Sequence, residues 1–494
     1  MRLLTYIQAR CGRWWLPVEL LGPNEARILY DAAVGTLGVI VTMVFCRAYL
    51  ATSGPVVRLL ILPVVLMVAN AALGIYARLR QASSRKKAFV LLIGVLASGA
   101  AALALGAAAG PVILWSVVVY PPLALARLLL GLPYSKHERL ISIAVNHRGP
   151  VLVIGGAGYI GCHAVDLLLQ AGKRVRVLDR LMYGREPLAE FANRGNFELI
   201  EGDVTDVGRL AQAMKGASAV VHLAGLVGDP ACAVDPQFTR HTNIVSTRMA
   251  REVAQSVGIQ RFVFASSCSV YGATDKEARE TDSLNPVSLY AQTKIDSERE
   301  LLRGVPDGFF VTILRFATVF GHSRRSRFDL VANLFTAQAI TDGLITVIGP
   351  QQWRPFIHVR DLARAIVLVL DAAPKLIQSE IFNVGDARLN MTILQLGEKV
   401  REVCRRYRDV SISISENVQD RRNYAVSFQK IHSLLGFEAA TLMDAGIEEM
   451  AAAFQDGKYG HYREQIYSNV AMTAKVLSQF QNPDELSRLY APLR

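Results

Sequence analysis

The chain has 494 residues, 51% of them hydrophobic, a formal net charge of +12 and a mean hydropathy of +0.27, which excludes a purely soluble protein and allows roughly two to four domains. The charge is confined to one part: residues 1–149 hold 15 Lys and Arg against 4 Asp and Glu, and the remainder 39 against 38. These basic residues flank apolar runs and form no aromatic-laced basic face, so the pattern excludes nucleic acid as a partner and points to anionic membrane lipid.

In chain order, residues 1–27 read as an N-terminal segment on the cytoplasmic side or at the interface, with Trp14 and Trp15 suited to the headgroup level. Arg10, Arg13 and Glu19 interrupt its apolar pattern and argue against a cleaved signal peptide. Four apolar runs follow at 28–50, 56–77, 88–110 and 111–131, each near the roughly 20 residues that a spanning helix requires. Buried helices of a soluble core are the alternative, but four successive runs with almost no central charge argue against it. Gly54-Pro55 and Gly110-Pro111 break the chain into two hairpins. Arg2, Arg10, Arg13 and Arg27 precede the first run and the 78–87 loop is strongly basic, while the opposite links carry no charge. The positive-inside rule then puts both termini on the cytoplasmic face of the plasma membrane, with 28–131 as a four-helix transmembrane region and 132–149 as a linker.

At residue 150 the pattern changes. Residues 151–154 are an apolar strand, followed by glycines at 155, 158 and 161 and a helical pattern over 159–169. Bare backbone at Gly155 and Gly158 lets a pyrophosphate approach the helix N-terminus, and Gly161 permits close helix–strand packing. The next strand, 174–178, runs into Asp179, at the separation from Gly155 where a carboxylate suits the ribose hydroxyls of NAD. Arg180 leaves NADP as the lesser alternative. Further strands at 197–200, 219–223, 262–265 and 311–314 alternate with helical stretches, which argues for a Rossmann-type doubly wound parallel sheet.

Two later stretches carry chemistry. SSCSVYG at 266–272 follows a strand, and Tyr290 and Lys294 fall at i and i+4 on one helix face. A phenol is a poor base at neutral pH, but a nearby ammonium favours phenolate, and a serine hydroxyl would complete a proton path. The six cysteines, at 11, 46, 162, 232, 268 and 404, form no CxxC pair and have no ligand spacing with the nine histidines, so reduced thiols and no metal are expected.

The motifs of residues 150–480 resemble the extended short-chain dehydrogenase/reductases, and within them the nucleotide-sugar epimerases and dehydratases. The resemblance rests on GGAGYIG at 155–161, Asp179, Gly202-Asp203-Val204, HLAG at 222–225, Asn243, SSCSVYG, Tyr290 with Lys294, Leu314-Arg315 and RPFIHVRDLARA at 354–365. It implies an α/β domain over 150–494 with a smaller C-terminal substrate-binding part, a catalytic set of Ser267, Tyr290 and Lys294, and a nucleotide-diphosphate sugar as substrate. It also implies a dinucleotide held by Gly155, Gly158, Tyr159, Ile160, Gly161, Asp179, Asp203, Val204, Leu223, Ala224, Gly225 and Asn243, together with Tyr290 and Lys294. Sugar contacts fall to Ser267, Ser269 and Thr318, and nucleotide contacts to Arg354 and Arg422 with neighbouring Arg421. His358 reads equally as structural or functional, and Asp361 as a helix support. A homodimer through a helix pair is common in the family.

Dehydratases of this family carry an Asp-Glu pair where this chain has Cys268 and Ser269. The stretch is similar instead to that of the 4-epimerases, although Thr318 stands where those usually have Asn. The expectation is a membrane-anchored NAD-dependent epimerase, acting at C4 through a transient 4-keto sugar and feeding surface-polysaccharide assembly. The alternatives are a ketoreductase or dehydrogenase, including one with a lipid-linked substrate, a 4,6-dehydratase, and a membrane scaffold that binds NAD without turnover.

Overall fold

The computed structural model describes scattered residues between 36 and 121, and residues 149–415, 420 and 422–479. The chain divides into two compact units, Met1–Ile141 and Ser142–Arg494. Most of the four expected spans, the 1–27 segment, residues 132–148 and Arg421 lie outside the described residues. Among the described residues no helix is long and apolar enough to cross a membrane. In the first unit, residues 112–121 are helical. They bury Val112, Trp115 and Val119 and expose Ile113 and Val117.

The second unit is built on strand β1 (Val151–Ile154), whose four residues are all buried. Side chains alternate across a strand, and β1 uses both faces: Val151 and Val153 enter one core, Leu152 and Ile154 the other. Both faces of a central strand must therefore be apolar, which is why an unbroken run encodes it. Strands β2 (Val175–Asp179) and β3 (Phe197–Glu201) extend the sheet on one side. Strands β4 (Ala219–His222), β5 (Arg261–Ser267), β6 (Phe310–Phe316) and β10 (Glu380–Val384) extend it on the other. The resulting order, β10-β6-β5-β4-β1-β2-β3, is parallel throughout. The winding of the chain changes side between β1 and β4, which run parallel, and this is the topological switch point at which open α/β sheets hold ligands.

Helices cover both faces. Helices α1 (Gly161–Gln170) and α6 (Val359–Asp371) bury Val165, Leu168, Leu362 and Ile366 in the first core. Helices α2 (Val207–Met214), α3 (Ser246–Ser256) and α4 (Leu289–Leu302) bury Leu210, Met249 and Leu301 in the second. Each such fully buried aliphatic side chain contributes about 1.5–3 kcal/mol of burial free energy.

The smaller C-terminal part contains a sheet of β7 (Thr318–Phe320), β9 (Trp353–His358) and β11 (Asn390–Thr392), and a parallel pair, β8 (Leu344–Ile348) and β12 (Ser411–Ser415). Helices α5 (Val331–Thr341), α7 (Ile393–Cys404) and α8 (Met443–Gln455) close its core around Phe320, Phe335, Phe356 and Leu396. His358 links strand to helix: its Nδ1 accepts from the Arg360 N–H that opens α6 (3.3 Å), and its Nε2 meets Glu449 Oε2 at 2.8 Å. Asp361 accepts from the Ala440 and Thr441 amides, so both residues are committed to packing these segments together. Helix α9 (Asn469–Leu477) returns to the large sheet, where Val476 and Leu477 pack with Leu226, Cys232, Phe238 and Tyr290.

Two histidines are held as neutral rings, His222 buried and His163 half-buried. Burial holds His222, on β4, near a pKa of about 3 and His163, on α1, near about 4. The unfolded chain takes up these protons near pH 6.5 while the folded one does not. Folding stability is thus unaffected by them above pH 6.5 and falls as pH drops from there toward 4. His222→Gln should make the acid limb of the second unit's unfolding free energy shallower by about 1.4 kcal/mol per pH unit. Denaturant midpoints between pH 6.5 and 4 measure that slope.

Candidate active site

The cleft lies at the carboxyl ends of β1, β2 and β4. Gly155 leaves β1 with φ +86°, a conformation that favours glycine. A Cβ there would stand 2.7 Å from the Ala224 nitrogen, and one on Gly161 would stand 2.2 Å from the Gly155 carbonyl oxygen. No side chain caps α1, which leaves its first-turn amides and positive dipole end to an anion. The geometry therefore suits a pyrophosphate.

Asp179 closes β2 and braces the glycine turn. Its Oδ2 accepts from the Ala157 N–H at 2.9 Å and its Oδ1 from the Leu181 N–H at 2.7 Å. Burial raises this carboxyl and the two amides counteract it. Asp203, after β3, accepts from Thr205 and pairs through Oδ2 with Arg180 at 3.2 Å. Arg180 is thus already engaged with a carboxylate. Val204, Leu223, Ala224 and Gly225 line the same cleft with Tyr159 and Ile160. Asn243 stands behind the wall: its Oδ1 accepts from the Leu226 N–H at 2.7 Å, and its Nδ2 donates to Leu226 O and to the Thr293 hydroxyl. It fixes the loop after β4 and does not line the cleft.

The reactive groups meet at one end. Ser267 ends β5, while Tyr290 and Lys294 lie on one face of α4, whose first turn is capped by Ser288. The Tyr290 hydroxyl faces the Ser267 side chain, which acts to lower its pKa, and Ser267 Oγ accepts from the Ser269 N–H at 3.2 Å. Lys294 Nζ donates to the Ala265 carbonyl at 2.7 Å and stands 4.9 Å from the Phe264 ring centroid and 5.9 Å from that of Tyr290. Burial pushes the Tyr290 phenol up and the Lys294 ammonium down to about 8. A buried cation beside a buried phenol favours phenolate, and a cationic ring bound alongside adds to that bias.

The turn after Ser267 separates its two side chains. Cys268 points into the core, where its thiol donates to the Arg315 carbonyl (3.3 Å) and burial raises its pKa. Ser269 is buried and its Oγ has no partner among the described residues. Thr318, half-buried, begins β7.

Arg354 and Arg422 converge on one carboxylate. Arg354 Nη2 donates to Asp420 Oδ2 at 3.0 Å, and Arg422 Nε and Nη2 bond Asp420 at 2.9 and 2.6 Å. Burial opposes the Asp420 charge, but the guanidinium groups hold it well below the usual carboxylate range. Arg422 Nη1 also lies 3.5 Å from Asp229, which accepts from the Ser288 hydroxyl at the start of the catalytic helix. The arginine pair therefore connects to α4 through Asp229 and stands apart from the residues that line the dinucleotide cleft.

Several cleft residues carry no motif in the sequence. Arg325 and Arg327 follow β7, Tyr183 follows β2, and Asn469 opens α9; all four line the cleft. The one legible signal was position, since charged residues just past the carboxyl end of a sheet strand fall where such folds bind ligands. Asn469 had none.

A glycine turn at a sheet switch point, an acidic residue ending the second strand, and a buried Ser-Tyr-Lys set define a dinucleotide-dependent α/β enzyme. Residues 151–385 match the model of the NAD dependent epimerase/dehydratase family. A UDP-glucose 4-epimerase of Lactobacillus helveticus is 30% identical over 275 residues, which are 51% of this chain and 81% of that protein. A dTDP-glucose 4,6-dehydratase of Streptomyces niveus is 27% identical over 320 residues, 62% of this chain and 93% of its own. Among solved structures, MoeE5 in complex with UDP-glucose and NAD is 29% identical and superposes with a TM-score of 0.55, covering 63% of this chain and all of that one. The chain belongs to the NAD-dependent epimerase/dehydratase family, and its cofactor is NAD.

Proposed function

We propose that this protein is a membrane-anchored, NAD-dependent 4-epimerase of a nucleotide-diphosphate sugar. The observation that carries the reading is the Ser267-Cys268-Ser269 turn, which offers no acid–base pair for water elimination: Cys268 faces the core and Ser269 is a hydroxyl. NAD, when bound, supplies a hydride acceptor that returns what it takes, so epimerisation needs no net redox change. In this reading Tyr290 Oη takes the proton of the sugar 4-hydroxyl, with Ser267 Oγ bridging them. Lys294, anchored on the Ala265 carbonyl, favours the phenolate. The partnerless Ser269 Oγ is a donor kept for the sugar, since a buried hydroxyl without a bond is costly. Arg354 and Arg422 release part of their hold on Asp420 to the nucleotide diphosphate, a bidentate match for guanidinium.

The test is to incubate the full chain with a panel of UDP- and dTDP-sugars without added cofactor and to resolve the products. A 4-epimer is the expected product. A 4-keto-6-deoxy sugar, or turnover only with stoichiometric NADH or NADPH, would replace the epimerase reading with a dehydratase or a reductase.

Anchoring rests on the four apolar runs and their basic flanks, and on the apolar character of both faces of 112–121, where buried Trp115 is flanked by exposed Ile113 and Val117. With the positive flanks inside, the catalytic unit lies at the cytoplasmic face of the plasma membrane, beside the glycosyltransferases of surface-polysaccharide assembly. Removing residues 1–140 should release the enzyme from membranes and lower polysaccharide output at equal enzyme level. Unchanged output would sink the anchoring role.

A further inference from the structure

The cleft wall contains a buried cation that no carboxylate of the described residues contacts directly. Arg325 is 5% exposed, and among the described residues it forms no ion pair. Its guanidinium lies 3.6 Å from the Tyr183 ring centroid, its Nη2 donates to Asn469 Oδ1 at 2.6 Å, and its Nε has no partner. The neighbouring Arg327 differs, being held by both oxygens of Asp329, whose charge acts on Arg325 only at longer range. Burying a charge without a direct partner is costly, and burial lowers the Arg325 guanidinium to about 10. A fold retains such a group where a ligand completes its charge balance.

The surroundings identify the ligand. The segment carrying Arg325 is bound to the first turn of α1: Ser323 Oγ donates to the Tyr159 carbonyl at 2.8 Å and lies 3.1 Å from Cys162 Sγ. That turn, with Gly155 and Gly158, lines the same cleft as Arg325, whereas Arg354 and Arg422 do not. An anion seated at the helix N-terminus therefore shares one cleft with this guanidinium. We propose that Arg325 is the counter-ion of the NAD pyrophosphate, and that Asn469 positions it from the C-terminal helix.

Asn469 lies outside the matched 151–385 segment and joins three rims of the cleft. Its Oδ1 also accepts from the Tyr183 hydroxyl at 3.0 Å, and its Nδ2 donates to the Val227 carbonyl at 2.9 Å. Its helix is seated by Val476 in the apolar cluster that contains Leu226 and Tyr290. One amide thus fixes the arginine, the segment after β2 and the loop after β4. The inference concerns the cofactor alone and stands whichever sugar reaction the site performs.

Calorimetric titration of the full-length protein, freed of cofactor, tests it with NAD, adenosine and UDP as probes. Arg325→Met should weaken NAD about 10- to 100-fold, the range of a hydrogen bond to a charged group. Adenosine, which lacks the pyrophosphate, and UDP, which reports the substrate side, should each stay within about two-fold. Asn469→Ala should weaken NAD less than Arg325→Met, and the double variant should bind as Arg325→Met does, because the amide acts through the guanidinium. NAD affinity unchanged in Arg325→Met would overturn the proposal. So would a loss confined to UDP, which would assign the arginine to the substrate, or an equal loss of adenosine, which would make it a structural brace. Additive losses in the double variant would overturn the positioning role of Asn469.

Discussion

Tyr290→Phe should reduce kcat by about 10²- to 10⁴-fold, the range of a positioned general acid or base, and leave the NAD dissociation constant within about two-fold. The ring stays, and with it the packing of Tyr290 against Leu226, Cys232 and Phe238 and the face it shows to Lys294. Only the hydroxyl that faces Ser267 is lost. The loss therefore falls on proton transfer and not on the fold or the cofactor cradle. The pH profile separates a catalytic from a packing role. Burial raises the phenol, so in the wild type the rate should climb through the alkaline range as the phenol loses its proton. The residual rate of Tyr290→Phe should lack that limb. Activity within a few-fold of wild type, with the limb intact, would remove Tyr290 from the reaction.

What was legible in the sequence is local in the chain. The glycine spacing, the apolar strand before it and the acid after it are encoded in the single stretch from Val151 to Asp179, and the strand written there occurs at 151–154 without change. The expected 174–178 strand is Val175–Asp179, shifted by one. Tyr290 and Lys294 are readable because helical spacing alone brings i and i+4 together. Asn243 shows where pattern misleads: a polar residue at a family position turns out to support the Leu226 backbone, a role set by packing that spacing does not encode. The C-terminal part was the least legible. Strand β12 (SISIS) alternates small polar and apolar residues, and its partner β8 lies far back in the chain, with Ser411 set against Leu344. Likewise the Arg325–Asn469 bond spans 144 residues. Such contacts follow from where the chain returns, and neither partner carries a local signature.

Glu298→Ala should cost about 3–5 kcal/mol of folding stability, the penalty for leaving a buried charge without its partner. Glu298 is on α4, one turn beyond Lys294, and is 3% exposed. Arg315, on β6, donates to it twice, Nε to Oε1 at 3.0 Å and Nη2 to Oε2 at 2.7 Å, while Ser266 Oγ adds a third bond at 2.5 Å. The network continues from Arg315 Nη1 to the Tyr271 hydroxyl at 2.9 Å, and from that hydroxyl to Asn383 on β10 at 2.7 Å. One carboxylate thereby ties the catalytic helix to β5 beside Ser267 and, through Arg315, to β6 and β10. Removing the carboxylate alone strands the guanidinium. Removing both charges as Glu298→Leu with Arg315→Met should recover most of the stability, because a well-packed apolar pair escapes the desolvation cost. Activity should follow a different course. The double variant keeps its fold but loses the bonds that set α4 against β5, so kcat should remain depressed while the NAD dissociation constant stays near wild type. Denaturant unfolding and steady-state kinetics on the same two variants separate these roles: kcat recovering in step with stability would make Glu298 a folding residue only, and kcat lagging behind it makes Glu298 a positioning residue for Tyr290 and Lys294.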